Sequence, residues 1–210
     1  MIPFVKGHGL GNDYIVIDGR DLPAPLTVPQ VVRICDRNWG VGSDGILLKV
    51  PAWAGADFGL RILNPDGSEA SLSGNGTRCA AAYLYYKQIW NGAELRLTTR
   101  AGIKLYTLRE QTGAGHYVFD SELGQPKFDS KSIPMATREP LTRVIDYELE
   151  VNGGKFPVTA LQMGNPNCCI FVKDFDALDW RRIGKAIAQR LARRRIRFLQ
   201  HGLNIAEGRR

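Results

Sequence analysis

Asn64-Pro65-Asp66-Gly67-Ser68-Glu69-Ala70-Ser71-Leu72-Ser73-Gly74-Asn75-Gly76-Thr77-Arg78-Cys79 is the stretch from which the rest of the chain can be read. It reads as a strand end, a turn and the glycine-rich entrance of a helix that runs from Thr77 to Ile89. Gly74 and Gly76 let a backbone come close to a ligand. The unpaired N–H groups of a helix start, together with the positive end of its dipole, suit a carboxylate or phosphate. Ser73 would stand beside such an anion. The same residues also fit an N-cap serine followed by the glycines of a tight turn, and the segment alone leaves both readings open.

Composition bounds the answer. A length of 210 residues suits one domain or two small ones. No apolar run is long enough to span a membrane, so no membrane partner is expected. Met1-Ile2-Pro3-Phe4-Val5-Lys6-Gly7 lacks the pattern of a secretory signal, and Asn75-Gly76-Thr77 therefore has no meaning as a glycosylation sequon. Cys35, Cys79, Cys168 and Cys169 have no zinc-like spacing and make a poor disulfide framework, so a reducing cytoplasm is the expected compartment. The charge is lopsided. Residues 181–210 hold ten Lys/Arg against Glu207, a net +9, which leaves −2 for the remainder of the overall +7. A basic block invites a nucleic-acid reading. Trp180-Arg181-Arg182-Ile183-Gly184-Lys185-Ala186-Ile187-Ala188 instead reads as an amphipathic helix with Ile183 and Ile187 inward and its charges solvated. Few aromatic residues stand beside the basic ones, so no nucleic-acid partner is expected.

Along the chain, Phe4 to Asp18 reads as strand, glycine turn, strand, and residues 29–37 as a short amphipathic helix. Residues 45–50, 58–63, 94–99, 102–109 and 116–120 read as strands. The helix from Thr77 is so apolar and small, with Ala80, Ala81 and Ala82, that burial with a sheet around it is expected. Residues 120–132 read as a linker. A second strand series follows at 147–151, 156–163 and 168–172, with a turn over Met163-Gly164-Asn165-Pro166-Asn167 and a helix over 174–192. The expected division is residues 1–124 and 125–210.

Two motifs lead nowhere. Gly40-Val41-Gly42-Ser43-Asp44-Gly45 matches G-x-G-x-x-G, but it follows a helix and precedes a strand, the reverse of a dinucleotide fold. His8, His116 and His201 share no metal-ligand spacing, so no metal is expected, and no Ser-His-Asp set can be assembled from them. A set of asparagines on glycine turns remains: Asn12, Asn64, Asn75, Asn165 and Asn204. A turn asparagine ordinarily bonds its own backbone. Several at strand ends can instead converge on the amine and carboxylate of a zwitterion.

A resemblance bears on that choice. His8-Gly9-Leu10-Gly11-Asn12-Asp13-Tyr14, residues 37–44, Asn64 to Ala70, Ser73 to Cys79 and Met163-Gly164-Asn165-Pro166 resemble successive signatures of the diaminopimelate epimerase family, in the family's order and over nearly the whole chain. The resemblance implies an α/β (α+β type) protein of two similar domains, each a mostly antiparallel sheet curled around a central helix, with a small amino-acid substrate between them. It implies a cofactor-free epimerase in lysine biosynthesis, turning LL- into meso-diaminopimelate with one cysteine per domain as base and acid. It marks Ser73 as standing at the first catalytic cysteine, Gly74 and Asn75 as the carboxylate-binding helix start, and Asn12, Asn64, Asn165 and Asn204 as substrate contacts.

The chain departs from that pattern in ways that bear on activity. Ser73 replaces the first cysteine, Gly45 stands where a glutamine is common, and Asn167 where a histidine is expected. The second catalytic cysteine would fall beyond Arg210, so the second domain is expected to be incomplete, with exposed apolar surface and a homodimer as consequences. Cys79 lies within the helix and is no substitute. A thiol with a pKa near 8.5 supplies some thiolate at neutral pH, whereas a serine hydroxyl needs a neighbouring base. The expectation is an epimerase homologue without turnover. The alternatives are a lyase or isomerase of the same superfamily that uses a single base, and a non-catalytic amino-acid-binding relative.

Overall fold

The computed structural model describes residues 2–133, 135, 137, 139–174, 176, 178–193 and 203–207, with 188–193 and 203–207 described by their backbone. The strands are β1 (Val5–Gly9), β2 (Asn12–Asp18), β3 (Ile46–Val50), β4 (Phe58–Leu63), β5 (Glu69–Ala70), β6 (Glu94–Thr99), β7 (Gly102–Gly113), β8 (His116–Glu122), β9 (Tyr147–Val151), β10 (Gly154–Met163), β11 (Asn165–Val172) and β12 (Leu203–Glu207). The helices are α1 (Val28–Cys35), α2 (Gly74–Tyr86) and α3 (Trp180–Arg193). The chain forms two compact units, Met1–Leu123 and Gly124–Arg210.

In the first unit the strands run in the order β1-β2-β3-β4-β6-β7-β8, with β5 paired to β4. Most neighbours are antiparallel; β2 with β3 and β4 with β6 are parallel. The sheet curls round α2, which packs against β1, β2, β3, β4, β6 and β8. The sequence of β2 shows why. Tyr14 and Val16 join the cluster around α2, while Ile15 and Ile17 join Val31 and Cys35 of α1 on the other face. Side chains of a strand alternate between faces, so a strand covered on both reads as an unbroken apolar run. α2 fits inside because its inner positions are small: Gly76, Thr77, Ala80 and Ala81 are buried.

The glycines of residues 40–45 have mechanical roles. A Cβ on Gly40 would lie 2.0 Å from the Arg33 carbonyl oxygen, where the chain folds back under the end of α1. Gly42 sits at φ +76, a conformation that L side chains rarely adopt. A Cβ on Gly45 would meet the Leu63 carbonyl oxygen at 2.7 Å and the Tyr14 ring at 3.1 Å. α1 itself opens with Pro29 and with Gln30 accepting the Thr27 amide at 2.8 Å, and ends two residues before the expected Arg37.

The curl leaves a seam between the edge strands β1 and β8. Two adjoining cavities of about 460 and 470 Å³ lie along it, floored by Cys79 and Ala82 and walled by Lys6 and His8 on one side. His116 and Tyr117 stand on the opposite wall of one of them.

The second unit is a four-stranded sheet in the order β12-β11-β10-β9, parallel only between β11 and β12. Val151, Val158, Cys168 and Ile170 of the sheet pack with Ile183 and Ile187 of α3, the two residues read as inward-facing from sequence. Boundaries differ from the sequence reading at several points: α2 spans Gly74–Tyr86 rather than 77–89, and β10 begins at Gly154 rather than at 156. β11 begins at Asn165 rather than at 168, because Gly164 at φ +78 turns the chain within one residue and Asn165 pairs with Met163. α3 begins at Trp180 rather than 174, where the Asp179 carboxylate accepts the Arg182 amide at 3.2 Å. The segment read as a linker over 120–132 starts later, since β8 runs to Glu122, and Lys127 already pairs with Gln162. Most of the tail without pattern, residues 194–202 and 208–210, lies outside the described residues.

Asp18 closes β2 with a charge in a buried setting, its side chain 6% exposed. Burial alone would push its carboxyl up, but hydrogen bonds from Arg20 and Lys49 outweigh that and hold it well below the usual carboxylate range. A carboxyl lowered in the folded state adds stability above its unfolded pKa near 3.9 and loses it as pH falls. Asp18→Asn is therefore expected to cost about 2 kcal/mol in urea unfolding at pH 7, with the difference shrinking below pH 4. A pH-independent difference would contradict the ion-pair account.

Candidate active site

Ser73 is the N-cap of α2, in an extended conformation at φ −136, ψ 115. Its Oγ accepts the Gly76 amide at 3.0 Å, and its carbonyl accepts the Thr77 amide at 2.8 Å. The first is one of the orphan amides of a helix start, thereby used, and the second makes the first ordinary turn of the helix ladder. Gly74 and Asn75 come first in the helix, and their amides donate to no described group. The Asn75 side chain accepts from Arg78 Nη2. Gly9, in the β1–β2 hairpin, passes close enough that a Cβ there would touch Asn75 at 3.4 Å.

A second set of contacts reaches Ser73 from β2. Tyr14 Oη lies 2.7 Å from Ser73 Oγ and donates to Asn12 Oδ1 at 2.9 Å. Asn12 Nδ2 donates to Asp44 Oδ2 at 2.7 Å, and the Asp13 amide donates to the same oxygen at 3.1 Å. Arg37 bridges Asp44 and Asp13 at 2.8 and 2.6 Å, and Lys6 joins Asp13 at 3.1 Å. The Arg37 guanidinium foremost, with Lys6, holds the Asp13 carboxyl far below the usual range.

This network fixes where the protons are. A carboxylate only accepts, so Asn12 must turn its amide nitrogen to Asp44 and its oxygen to Tyr14. Tyr14 must then give its proton to Asn12, which leaves Ser73 as the donor to Tyr14. The Ser73 oxygen thus gives its proton to the phenol and accepts from Gly76. Neither neighbour is a base, and the amide of Asn12 interrupts any path from Tyr14 to Asp44. Burial also pushes the Tyr14 phenol up from its ordinary value, so it stays protonated. Ser73 is held in place, and its described hydrogen-bond partners include no base. Among the described residues no cluster of three His, Cys, Asp or Glu side chains is placed to hold a metal.

The family model described as diaminopimelate epimerase matches residues 4–128. The diaminopimelate epimerase of Pelotomaculum thermopropionicum is 39% identical over 202 residues, 94% of this chain and 71% of that protein. That of Trichodesmium erythraeum is 40% identical over 182 residues, 86% of this chain and 64% of that protein. The chain belongs to the diaminopimelate epimerase family.

Solved structures extend the likeness in fold. A probable proline racemase from Agrobacterium radiobacter K84, with bound carbonate, superposes at a TM-score of 0.67 and 18% identity, over 92% of this chain and 60% of that one. A hydroxyproline epimerase from Agrobacterium vitis, with bound trans-4-hydroxy-L-proline, gives 0.58 and 19%, over 86% and 52%.

Within this diaminopimelate epimerase family member, the residues singled out from sequence fall into two groups. Asn12, Ser73, Gly74 and Asn75 come together at the start of α2 through Tyr14. Asn64 ends β4 and is buried, with its side chain donating to Ser68 in its own turn at 2.9 Å. Asn165 and Asn204 lie in the second unit, in β11 and β12, where Asn204 pairs with Cys169. Asn167 also sits in β11 and donates to the Asn165 carbonyl at 2.9 Å. Sequence reasoning quoted Tyr14, Arg37 and Asp44 inside motifs but assigned them no role. The signal available was the paired charges of Arg37 and Asp44 on either side of a glycine turn.

Cys79 lies along the seam and not at the helix start. Burial pushes its thiol up to about 11 and that of Cys168 up to about 12. At pH 8 both should be alkylated at least about 100-fold more slowly in the folded chain than in urea, by peptide mapping. Equal rates would show that these thiols are not shielded.

Proposed function

We propose that the first unit carries the carboxylate-binding half of a diaminopimelate epimerase site, and that with serine at position 73 this chain binds its amino acid without turning it over. The observation that carries the reading is the start of α2. Two amides there, Gly74 and Asn75, have no acceptor among the described residues, and both lie beside Ser73, which the family resemblance sets at the first catalytic cysteine. Such a pair in the positive end of a helix dipole suits an α-carboxylate. Asn12, Asn64, Asn165 and Asn204 are the further contacts assigned to the substrate by the family pattern, with no cofactor needed.

Loss of turnover follows from acid–base chemistry. Epimerisation needs a base on one face of Cα and an acid on the other. A well-placed general base contributes roughly 10²–10⁴-fold. Ser73 cannot supply it, since its proton is given to a phenol that remains protonated.

Diaminopimelate incubated with the 210-residue chain in deuterated water is the direct test. Proton NMR at Cα is expected to show saturable line broadening and no loss of the Cα–H signal. Steady deuterium incorporation with meso product would overturn the claim that Ser73 is inert. An eliminated or double-bond-shifted product would instead favour the single-base lyase or isomerase reading.

A further inference from the structure

Among the described residues, Tyr14 hydrogen-bonds both the group at position 73 and the asparagine tied to the Asp44–Arg37 ion pair. Its phenol has one proton and two acceptors within reach, Asn12 Oδ1 at 2.9 Å and residue 73 at 2.7 Å. With a neutral hydroxyl at 73 the proton goes to Asn12. With an anion at 73, a turn of the O–H bond alone sends it the other way, and no heavy atom has to move.

We propose that Tyr14 is a positioning residue for the group at position 73, a phenol that shares with the Gly76 amide the task of stabilising negative charge there. Gly76 supplies a donor at 3.0 Å from the opposite side, so the two together form a two-donor cradle. Gly45 is part of the device. A Cβ there would stand 2.7 Å from the Leu63 carbonyl oxygen and 3.1 Å from the Tyr14 ring, so its missing side chain leaves the ring its place beside α2. Burial of the phenol keeps it a donor through the range in which a thiol titrates. The inference bears on the reaction proposed above but stands on these contacts alone, so its test needs no turnover.

The other charged and titratable groups near position 73 are Arg78, whose guanidinium lies by Gly74, the Cys79 thiol, and Asp44, whose charge acts on the phenol. A Tyr14→Phe change leaves all three in place, so a difference it makes belongs to the hydroxyl. The test uses Ser73→Cys and the double variant Ser73→Cys/Tyr14→Phe in the full chain. The rate of iodoacetamide labelling at position 73 is followed against pH by peptide mapping. In Ser73→Cys the midpoint should lie below that of an ordinary thiol, and removing the phenol should raise it by about one pH unit, a tenfold loss of labelling at pH 7. Coincident midpoints would overturn the proposal.

Should the cysteine variants not fold, the unmodified chain with ¹³C-labelled tyrosine answers the same question. The Tyr14 hydroxyl should exchange slowly enough in mixed H₂O/D₂O to split its Cζ signal. Ser73→Ala should keep that splitting, since the phenol still donates to Asn12, but should move the Cζ resonance, since the phenol loses the hydrogen bond it accepts from residue 73. A Cζ resonance unmoved in Ser73→Ala would show that the phenol is not engaged with position 73.

Discussion

Helix α2 sits inside the curl of the first sheet because Thr77, Ala80 and Ala81 keep its inner surface small, and these three are 0–3% exposed. Strands can then close over it from six sides, and Tyr14, Leu47, Leu95, Leu97 and Tyr106 meet in one cluster. A larger residue at Ala81 would force the strands apart, since interiors are close-packed and tolerate added volume poorly. The constraint also decides where polarity can go. A helix can offer free backbone donors only at its N-terminal end, and Ser73 spends one of those amides on capping.

From there the arrangement passes outward through β2. The hairpin of β1 and β2 sets Asn12 and Tyr14 beside the helix start, and the loop after α1 brings Arg37 and Asp44 to lock Asn12. Hydrogen bonds to charged groups are worth more than neutral ones. The Asp44 carboxylate therefore dictates the orientation of Asn12, and Asn12 that of the phenol. Serine at position 73 ends this chain as a donor, with its oxygen bound on two sides. The same geometry around a thiol would leave the anion with two donors. On the function proposed above, one atom, sulfur against oxygen, separates a site that can carry charge at neutral pH from one that holds its proton.

Much of this was legible in the sequence. The apolar, alanine-rich run after Ser73 announced a buried helix, and the apolar run 14–17 announced a strand, because both patterns follow from local geometry; that the strand is covered on both faces emerged only from the packing. Ile183 and Ile187 were read correctly for the same reason. The path from Ser73 through Tyr14 to Asp44 was not legible, because it joins residues 59 and 32 positions apart through side chains on three elements. The mechanical role of Gly45 was hidden too, since it depends on a carbonyl of β4 that only strand pairing brings near. Boundaries moved where a single residue set them: Asp179 starts α3, and Gly164 tightens the β10–β11 turn.

The central claim is that the start of α2 is where the carboxylate binds. A titration of the ¹⁵N-labelled chain with diaminopimelate, followed through its amide resonances, tests it most directly. The account predicts that the Gly74 and Asn75 amides shift downfield and saturate together, as hydrogen bonds to an anion require, while Gly76, already committed to Ser73, moves little. Shifts that leave Gly74 and Asn75 unmoved and fall instead on Lys6, His8 and His116 along the β1–β8 seam would contradict it.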